Sequence, residues 1–447
     1  MRMTVFGTGY LGATHAACMA ELGHDVLGVD VDEVKIEALS EGRVPFFEPG
    51  LTEILKKNLD AGRLRFTTDY AHAADFANVH FIGVGTPQRK GSYAADTKYV
   101  HAVMEQLAPK LEGHHTFFGK STVPVGTSES LQQQADREAT NATVEIVWNP
   151  EFLREGHAVK DTLRPDRIVL GINEGSDTEA LAREIYAEPI QLGSPLLVMD
   201  RPTAELVKTS ANAFLATKIS FINAVAEICE ASGADVLALA DAIGMDERIG
   251  RKFLGAGLGF GGGCLPKDIR AFMARAGELG ADQALTFLRE VDDINMRRRE
   301  KTVEIIRRRF GGSLIGHRVT VLGAAFKPES DDVRDSPALN VAGQLSLGGA
   351  TVTVFDPQAM DNARKQFPTL NYAEDAISAM EDAELVLVAT EWKEFRQMDP
   401  VEAASRVAGV EGKPVIVDAR NCLDANAWAD AGWDYRALGR GQTLAPR

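Results

Sequence analysis

The residues Gly7-Thr8-Gly9-Tyr10-Leu11-Gly12 constrain the fold most, because they stand between an apolar run and a helical pattern. Three glycines at this spacing allow a tight turn from strand to helix and let the backbone approach a pyrophosphate at the helix N-terminus. The next apolar run ends at Asp30, 18 residues after Gly12 (30 − 12 = 18), where a carboxylate can accept hydrogen bonds from ribose hydroxyls and repel a 2′-phosphate. The pattern predicts a Rossmann domain that binds NAD rather than NADP. The alternative is a glycine turn that only packs helix against strand, and Asp32 is close enough to be mistaken for Asp30.

Short apolar runs alternate with helical patterns at both ends of the chain, which is typical of parallel sheets built from βαβ units. In the first half the runs span residues 4–6, 26–29, 79–84, 116–119 and 144–148. In the second half they span residues 318–322, 351–355, 385–388 and 414–417. We therefore expect an α/β fold with two Rossmann-like, doubly wound domains.

A helical segment separates these two halves. Residues 202–232 carry apolar side chains on more than one face, so we expect a long central helix buried between domains or between subunits. Further helices are expected over residues 266–280 and 283–310. The predicted division is an NAD-binding Rossmann domain (1–200), a central helical domain (201–310) and a C-terminal Rossmann-like domain (311–447).

Composition and charge argue against several classes of protein. Four widely separated cysteines without metal-ligand spacing favour neither disulfides nor a zinc site, and with no signal-peptide pattern they favour the cytoplasm. No apolar stretch approaches the ~20 residues of a membrane span. A net charge of −16 disfavours nucleic acid and anionic membranes as partners. Basic clusters at residues 297–299 and 307–309 are interpreted as a solvated helix face.

Further candidate residues follow the other predicted strands. Thr86 and Thr122 stand where open parallel sheets bind ligands, so both are expected to face the cofactor, with helix capping as the alternative. The second half carries Gly323-Ala324-Ala325-Phe326-Lys327, with Asp356 at the end of its next strand. This degraded dinucleotide pattern predicts either a nucleotide other than NAD, with Lys327 facing phosphate, or a purely structural domain.

Residues 255–268 are the segment richest in chemical information. Its glycines permit positive φ and close approach of the backbone to a ligand. Pro266 suits the first turn of a following helix, so Cys264 is expected directly at the N-terminus of that helix. There the helix dipole and Lys267 would favour the thiolate. Asp268 lies one helical turn further, and two roles are open for it. It would orient a proton or a water beside the sulfur, or it would be a surface acid that complements the helix dipole.

A nucleophilic cysteine beside a hydride acceptor predicts a specific reaction sequence. An alcohol is oxidised to an aldehyde, captured by sulfur as a thiohemiacetal, oxidised again to a thioester and hydrolysed to an acid. A single site would then perform a four-electron oxidation.

Six ordered motifs resemble those of the nucleotide-sugar 6-dehydrogenases, and the resemblance runs from Gly7 to about Arg420. The motifs are residues 7–12, 121–127, 149–156, 205–212, 255–268 and 326–327. The resemblance implies NAD-dependent oxidation of UDP-glucose to UDP-glucuronate, with GDP-mannose as the alternative substrate. It also implies a homodimer in which the C-terminal domain binds UDP.

The resemblance assigns the catalytic roles as follows. Cys264 is the nucleophile, and Asp268 assists proton transfer and thioester hydrolysis. Lys208, one helical turn from Asn212, stabilises the developing oxyanion. The residues implied to order a water are Thr122 and Glu151.

Two further sets of residues are implied to bind the cofactor and the substrate. The NAD set is Gly7, Gly9, Tyr10, Leu11, Gly12, Asp30, Lys35, Thr86, Thr122, Glu155 and Arg334. The nucleotide-sugar set is Phe152, Leu153, Glu155, Lys208, Asn212, Arg248, Phe253, Phe260, Gly261, Lys327 and Arg420. Within these sets, Arg248 is implied to reach the partner subunit's site, whereas the loop around Arg334 could equally be a solvated connection.

Two positions depart from the family pattern, and other functions remain open. Gly263 stands where many members have serine, and Gly255 where some have lysine, which puts one phosphate contact in doubt. A single-step hydroxyacid dehydrogenase would use Lys208 and Asn212 and leave Cys264 idle. A non-catalytic nucleotide sensor on degenerate Rossmann domains is the alternative from another class.

Overall fold

The computed structural model describes residues 1–444 and divides into two compact units. The first comprises Met1–Ala211 with Arg270–Asp282, and the second comprises Asn212–Ile269 with the chain from Gln283 onward. The three-domain division stays a prediction, and its last residues, 445–447, lie outside the described part of the chain.

The first unit is built on a doubly wound sheet. Its strands are β1 (Arg2–Phe6), β2 (Asp25–Val29), β3 (Leu64–Thr67), β4 (Val79–Ile82), β5 (Gly113–Gly119), β6 (Ala142–Trp148), β7 (Ile168–Gly171) and β8 (Leu196–Met199). Among the described residues these eight strands lie in the order β3-β2-β1-β4-β5-β6-β7-β8. All pairs are parallel except β6 and β7. The order reverses beside β1, so the loops after β1 and β4 form the crevice where such sheets bind ligands.

Helices cover this sheet, which explains why its central strands are buried apolar runs. They are α1 (Tyr10–Glu21), α2 (Glu33–Ser40), α3 (Leu51–Asp60), α4 (Tyr70–Phe76), α5 (Lys98–Leu107), α6 (Thr127–Glu138), α7 (Ala158–Leu163), α8 (Thr178–Ile185) and α9 (Ala187–Gln191).

Four helices follow in the middle of the chain, and they confirm the predicted helical segment. They are α10 (Arg201–Ser232), α11 (Val236–Gly244), α12 (Leu265–Glu278) and α13 (Phe287–Arg309). The helix predicted over residues 283–310 begins instead with a 3-10 turn, Asp282–Leu285.

The second unit carries the second doubly wound sheet. Its strands are β9 (Arg318–Leu322), β10 (Thr351–Phe355), β11 (Asn371–Tyr372), β12 (Leu385–Val388), β13 (Val415–Asp418) and β14 (Asp434–Ala437). They are parallel and lie in the order β11-β10-β9-β12-β13-β14, which repeats the order of the first six strands of the other sheet. Its helices are α14 (Pro337–Leu347), α15 (Met360–Gln366), α16 (Ala376–Ala379), α17 (Lys393–Arg396), α18 (Pro400–Ala404), α19 (Ala425–Asp430) and α20 (Gly441–Leu444). The predicted pair of Rossmann-like domains is confirmed.

No helix within residues 1–444 combines the length and apolar character needed to cross a bilayer. No three His, Cys, Asp or Glu side chains of this part converge as metal ligands do.

Candidate active site

The glycine motif requires glycine at Gly7, directly after β1, and at Gly12, in the first turn of α1. Gly7 has φ +86°, and a Cβ there would lie 2.8 Å from the Val84 Cα. A Cβ on Gly12 would overlap the Gly7 carbonyl oxygen, so only glycine allows this approach. Gly9 precedes α1 with open space beside it. The bare backbone at this helix N-terminus fits the pyrophosphate of a dinucleotide.

Asp30, at the end of β2, is held as a carboxylate. Its Oδ2 accepts the Thr8 N–H at 2.7 Å and lies 3.0 Å from Lys35 Nζ. Burial opposes ionisation, but the Thr8 N–H and Lys35 outweigh it and hold the pKa of Asp30 below its ordinary value. Asp32 instead caps α2. The fixed charge therefore belongs to Asp30, where it suits ribose hydroxyls and repels a 2′-phosphate.

Tyr10, in the first turn of α1, is tied to the segment after β6. Its hydroxyl donates to Glu48, whose carboxylate also accepts the N–H groups of Gly156 and Ala158, each at 2.7 Å. Burial, together with Glu48, raises the pKa of Tyr10, so the hydroxyl remains a donor. Leu11 follows, half-buried. Sequence analysis missed Glu48 because a lone carboxylate in a loop matches no motif.

Thr86 and Thr122 connect the loops after β4 and β5. The Thr86 hydroxyl donates to the Thr122 carbonyl oxygen at 2.7 Å. The next helices begin at Lys98 and Thr127, so neither threonine is a helix cap and that alternative is wrong. The strand predicted over residues 79–84 ends at Ile82, and Val84 beyond it lies against Gly7.

A buried ion pair lies at the ends of β5 and β6. Lys120 Nζ is 2.8 Å from Glu151 Oε2 and donates to Asn149 Oδ1 at 3.2 Å. The Tyr186 hydroxyl donates to the same amide oxygen at 2.6 Å. Sequence analysis missed Lys120, although a lysine directly after an apolar strand is a signal that could have revealed it.

The Glu151 carboxylate is held by three partners. Its Oε1 accepts the N–H groups of Phe152 at 2.8 Å and Leu153 at 3.1 Å, while Oε2 faces Lys120. Burial alone would raise the pKa of Glu151, but Lys120 lowers it below its ordinary value, with a further contribution from Lys208. Burial likewise opposes the charge on Lys120, yet Glu151 raises the pKa of Lys120.

Lys208 completes the group of candidate residues in the first unit. Its Nζ lies 5.4 Å from the centre of the Phe152 ring, and Arg167 Cζ lies 4.0 Å from the same ring. Leu153 and Glu155 follow in a half-buried turn. The structure thus brings Lys208, Phe152 and Glu151 together.

Cys264 is exposed directly before α12, in the second unit. The Asp268 N–H donates to the Cys264 carbonyl oxygen at 2.9 Å, which starts the helix and places the sulfur at the positive end of the dipole. Asp268 is only 2% exposed, and its carboxylate accepts hydrogen bonds from Asn212 at 2.7 Å and Lys267 at 2.6 Å. The interpretation of Asp268 as a surface acid is therefore wrong.

Polar side chains from α10 and α13 hold the glycine segment before Cys264. The Asn295 amide accepts the Phe260 N–H at 2.7 Å and donates to the Phe260 carbonyl oxygen at 2.9 Å. Asn223 accepts the Gly257 N–H at 2.9 Å. Phe260 and Gly261, implied to line the nucleotide-sugar site, are buried.

The interpretation of residues 297–299 as a solvated face is wrong for two of the three arginines. Arg298 and Arg299 are 0% exposed and pair with Glu230 at 2.8 Å and Asp335 at 2.7 Å. A run of charges in a helix does not reveal these carboxylates, which lie 68 and 36 residues away in sequence.

Loops that follow strands of the second sheet contact the same glycine segment. Arg420 donates to the carbonyl oxygens of Ala389 at 2.7 Å and Gly259 at 2.9 Å. Arg334 pairs with Asp332 at 2.7 Å. A Cβ on Gly263 would overlap the Arg334 guanidinium, so a serine here requires that side chain to move.

Asp356 occupies the place in the second sheet that Asp30 has in the first. It is 1% exposed and accepts the N–H groups of Ala324 at 2.7 Å and Ala325 at 3.0 Å. This carboxylate holds its own loop, as Asp30 does in the first sheet, and it also accepts the Trp392 Nε1–H at 3.0 Å. Lys327 is half-buried, with Nζ 5.4 Å from the centre of the Phe326 ring.

Arg248 and Phe253 lie at the surface after α11. Arg248 pairs with Asp246 at 2.6 Å, and its side chain is 89% exposed. Phe253 has φ +65°, which is rare for an aromatic residue and is more frequent at functional sites.

Comparison with known proteins places these features in one family. Residues 1–190 match the family model described as the NAD binding domain of the UDP-glucose/GDP-mannose dehydrogenase family. Residues 202–297 match its central domain and residues 320–425 its UDP binding domain.

Individual relatives agree with this assignment. A UDP-glucose 6-dehydrogenase of Rhizobium meliloti (strain 1021) is 43% identical over 98% of this chain and 100% of its own length. The solved structure of a UDP-glucose dehydrogenase from Pyrobaculum islandicum matches with a TM-score of 0.88 at 37% identity, covering 97% of this chain and 96% of that one. A GDP-mannose dehydrogenase structure from Pseudomonas aeruginosa matches with a TM-score of 0.53 at 29% identity, covering 98% and 99%.

Proposed function

The chain belongs to the UDP-glucose/GDP-mannose dehydrogenase family and is an NAD-dependent dehydrogenase, and we propose that it oxidises UDP-glucose to UDP-glucuronate. One observation carries the reaction class: Cys264 is exposed at the N-terminus of α12, one turn from the buried Asp268 carboxylate. A thiol in this place is suited to covalent capture of an aldehyde.

The chemistry proceeds in four steps. The sugar 6-hydroxyl loses its proton and carbon 6 loses a hydride, which gives the aldehyde, and the Cys264 thiolate adds to the aldehyde carbon while the aldehyde oxygen takes up a proton. The thiohemiacetal loses its hydroxyl proton and a second hydride from the same carbon and becomes a thioester. Water then adds, the carbon–sulfur bond breaks with its electron pair on sulfur, and the acid is released. When bound, NAD supplies the hydride acceptor for both oxidations.

The side chains divide this work. Asp268, oriented by Asn212 and Lys267, takes up the proton that the attacking water loses. Lys208 stabilises the oxyanion as a cation held beside Phe152. Thr122 and Glu151 order the water. The other residues of the two binding sets keep the roles that the family resemblance implies.

UDP-glucose is preferred over GDP-mannose because relatives named for UDP-glucose are more similar in both sequence and structure. The test offers the purified protein both nucleotide sugars with NAD. We expect two NADH per UDP-glucose and little turnover of GDP-mannose. Faster use of GDP-mannose would overturn the substrate assignment, and one NADH per sugar would indicate a single-step dehydrogenase in which Cys264 is idle.

A homodimer is the proposed assembly. Phe214, Phe221 and Ile228 of α10 are 66%, 54% and 66% exposed, and their seven-residue spacing places them on one helix face. Because this stripe repeats along a single helix, it fits the same helix of a second copy. Arg248 is proposed to reach the partner subunit's site. We place the enzyme in the cytoplasm, which agrees with cysteines that are few and widely separated in the sequence.

A further inference from the structure

The ion pair of Lys120 and Glu151 is unusual because both partners are almost inaccessible. Their side chains are 6% and 13% exposed, and 2.8 Å separates Nζ from Oε2. Lys120 directly follows β5, and its N–H donates to the Ile82 carbonyl oxygen at 2.9 Å. Thr122 follows two residues later, so the same short segment after β5 positions both the Lys120 ammonium and a proposed water-ordering residue.

No other cation engages Glu151 directly among the contacts of the described residues. The titratable groups that face Glu151 or its cavity are Lys120, Lys208, Tyr186, Cys18, His15, Asp161 and Arg167. Burial lowers the pKa of His15 and raises the pKa of Tyr186 and of Cys18, so all three are uncharged near neutral pH. Asp161 pairs with Arg154 at 2.6 Å, and Arg167 lies over the Phe152 ring. The charge that balances Glu151 is therefore mainly that of Lys120.

We propose that Lys120 is a positioning residue for thioester hydrolysis: it holds Glu151 as a fixed carboxylate that accepts a hydrogen bond from the attacking water. The covalent steps are those given above, with Asp268 taking the proton. Because two backbone N–H groups and Lys120 already bind Glu151, its place is set before water arrives. This role rests on the proposed function, in which Glu151 orders the water.

The test compares Lys120→Met, which removes the charge at similar volume, with Lys120→Arg, which keeps it. Without the ammonium, burial raises the pKa of Glu151, so low pH neutralises it. Below the raised pKa of Glu151, we expect the steady-state rate of Lys120→Met to fall about tenfold for each pH unit. Near pH ~9, where Glu151 is ionised again, the rate should approach that of the unmodified protein. Lys120→Arg should keep the unmodified pH profile. Lys110→Met, at an exposed lysine before β5, controls for loss of one cation.

The double variant Lys120→Met/Glu151→Gln distinguishes a loss of control over the Glu151 charge from general damage to the fold. It leaves no unpaired buried charge, and we expect the new ionisation to vanish, with a rate equal to that of Glu151→Gln alone. A rate for Lys120→Met that is lowered equally at every pH would overturn the proposal, as would a pH shift that persists in the double variant. If the unmodified protein oxidises no nucleotide sugar, the proposed function fails instead.

A second measurement needs no turnover. In Lys120→Met a carboxyl with a raised folded-state pKa contributes stability that is lost as pH rises through that pKa. The thermal midpoint of Lys120→Met should therefore fall between pH ~5 and ~8 relative to the double variant. Parallel midpoints for these two variants would show that Lys120 does not control the charge of Glu151.

Discussion

At the residue scale, Asp268 is tightly held by its surroundings. Its carboxylate is buried and held by Asn212 and Lys267, so Asp268→Asn removes the charge with little change of shape. We expect hydrolysis to slow about 10²–10⁴-fold, the usual contribution of a general acid or base, while the oxidations slow less. Quenched enzyme should then carry a uronyl adduct on the Cys264 peptide, measured by mass spectrometry.

A matched control exists on another helix. Asp361, in the first turn of α15, has a 90% exposed side chain, and Asp361→Asn should leave turnover unchanged. If Asp268→Asn slows NADH formation without any adduct, Asp268 acts in an oxidation step. If Cys264→Ala still makes acid at a near-normal rate, the covalent mechanism is wrong.

The residues that sequence analysis could find are those with a local signature. Cys264 follows a dense glycine run, and Asp30 ends a strand after a glycine loop, so short segments were sufficient. Glu48 and Lys120 were missed because each depends on partners far away in sequence, at Gly156 and Glu151. No nearby pattern specifies those contacts.

At the element scale, three neighbouring strands bury a chain of polar side chains. Thr4 of β1 bonds His80 of β4 at 2.6 Å, and His80 bonds His115 of β5 at 2.9 Å. Burial holds the pKa of His80 well below its ordinary value, so the folded state keeps it neutral while the unfolded chain gains a proton below pH ~6.5. Stability should therefore fall with acidification, by about 1.4 kcal/mol per pH unit for one histidine.

Urea unfolding near pH ~7.5 and ~5.5 measures this dependence. His80→Gln should lower stability at both values but reduce its pH slope by about one proton. His72→Gln, at an exposed histidine on α4, should leave the slope unchanged. An unaltered slope in His80→Gln would show that His80 does not carry the pH dependence.

Strands were predicted correctly where a short run of apolar residues is continuous in the sequence. Residues 318–322, 351–355 and 385–388 form strands with the predicted bounds. The antiparallel contact of β6 and β7 was not predicted, because β7 was not among the predicted apolar runs. The buried arginines of α13 were also missed. A run of charges in a helix predicts solvent exposure, but here carboxylates that are distant in sequence pair with the arginines and allow their burial.

At the scale of the whole molecule, the exposed stripe on α10 determines the expected assembly. Each copy carries a net charge of −16, so association must rest on apolar contact that outweighs repulsion. Phe221→Glu places a carboxylate at the centre of the stripe and, in a symmetric pair, would bring two carboxylates to one apolar interface. We expect the unmodified protein to have the mass of a dimer and Phe221→Glu that of a monomer by analytical ultracentrifugation. Leu347→Glu, at a 91% exposed leucine that ends α14, should remain dimeric. An unchanged mass for Phe221→Glu would mean that the copies associate through another surface, and a monomeric unmodified protein would remove the basis for placing Arg248 in the partner subunit's site.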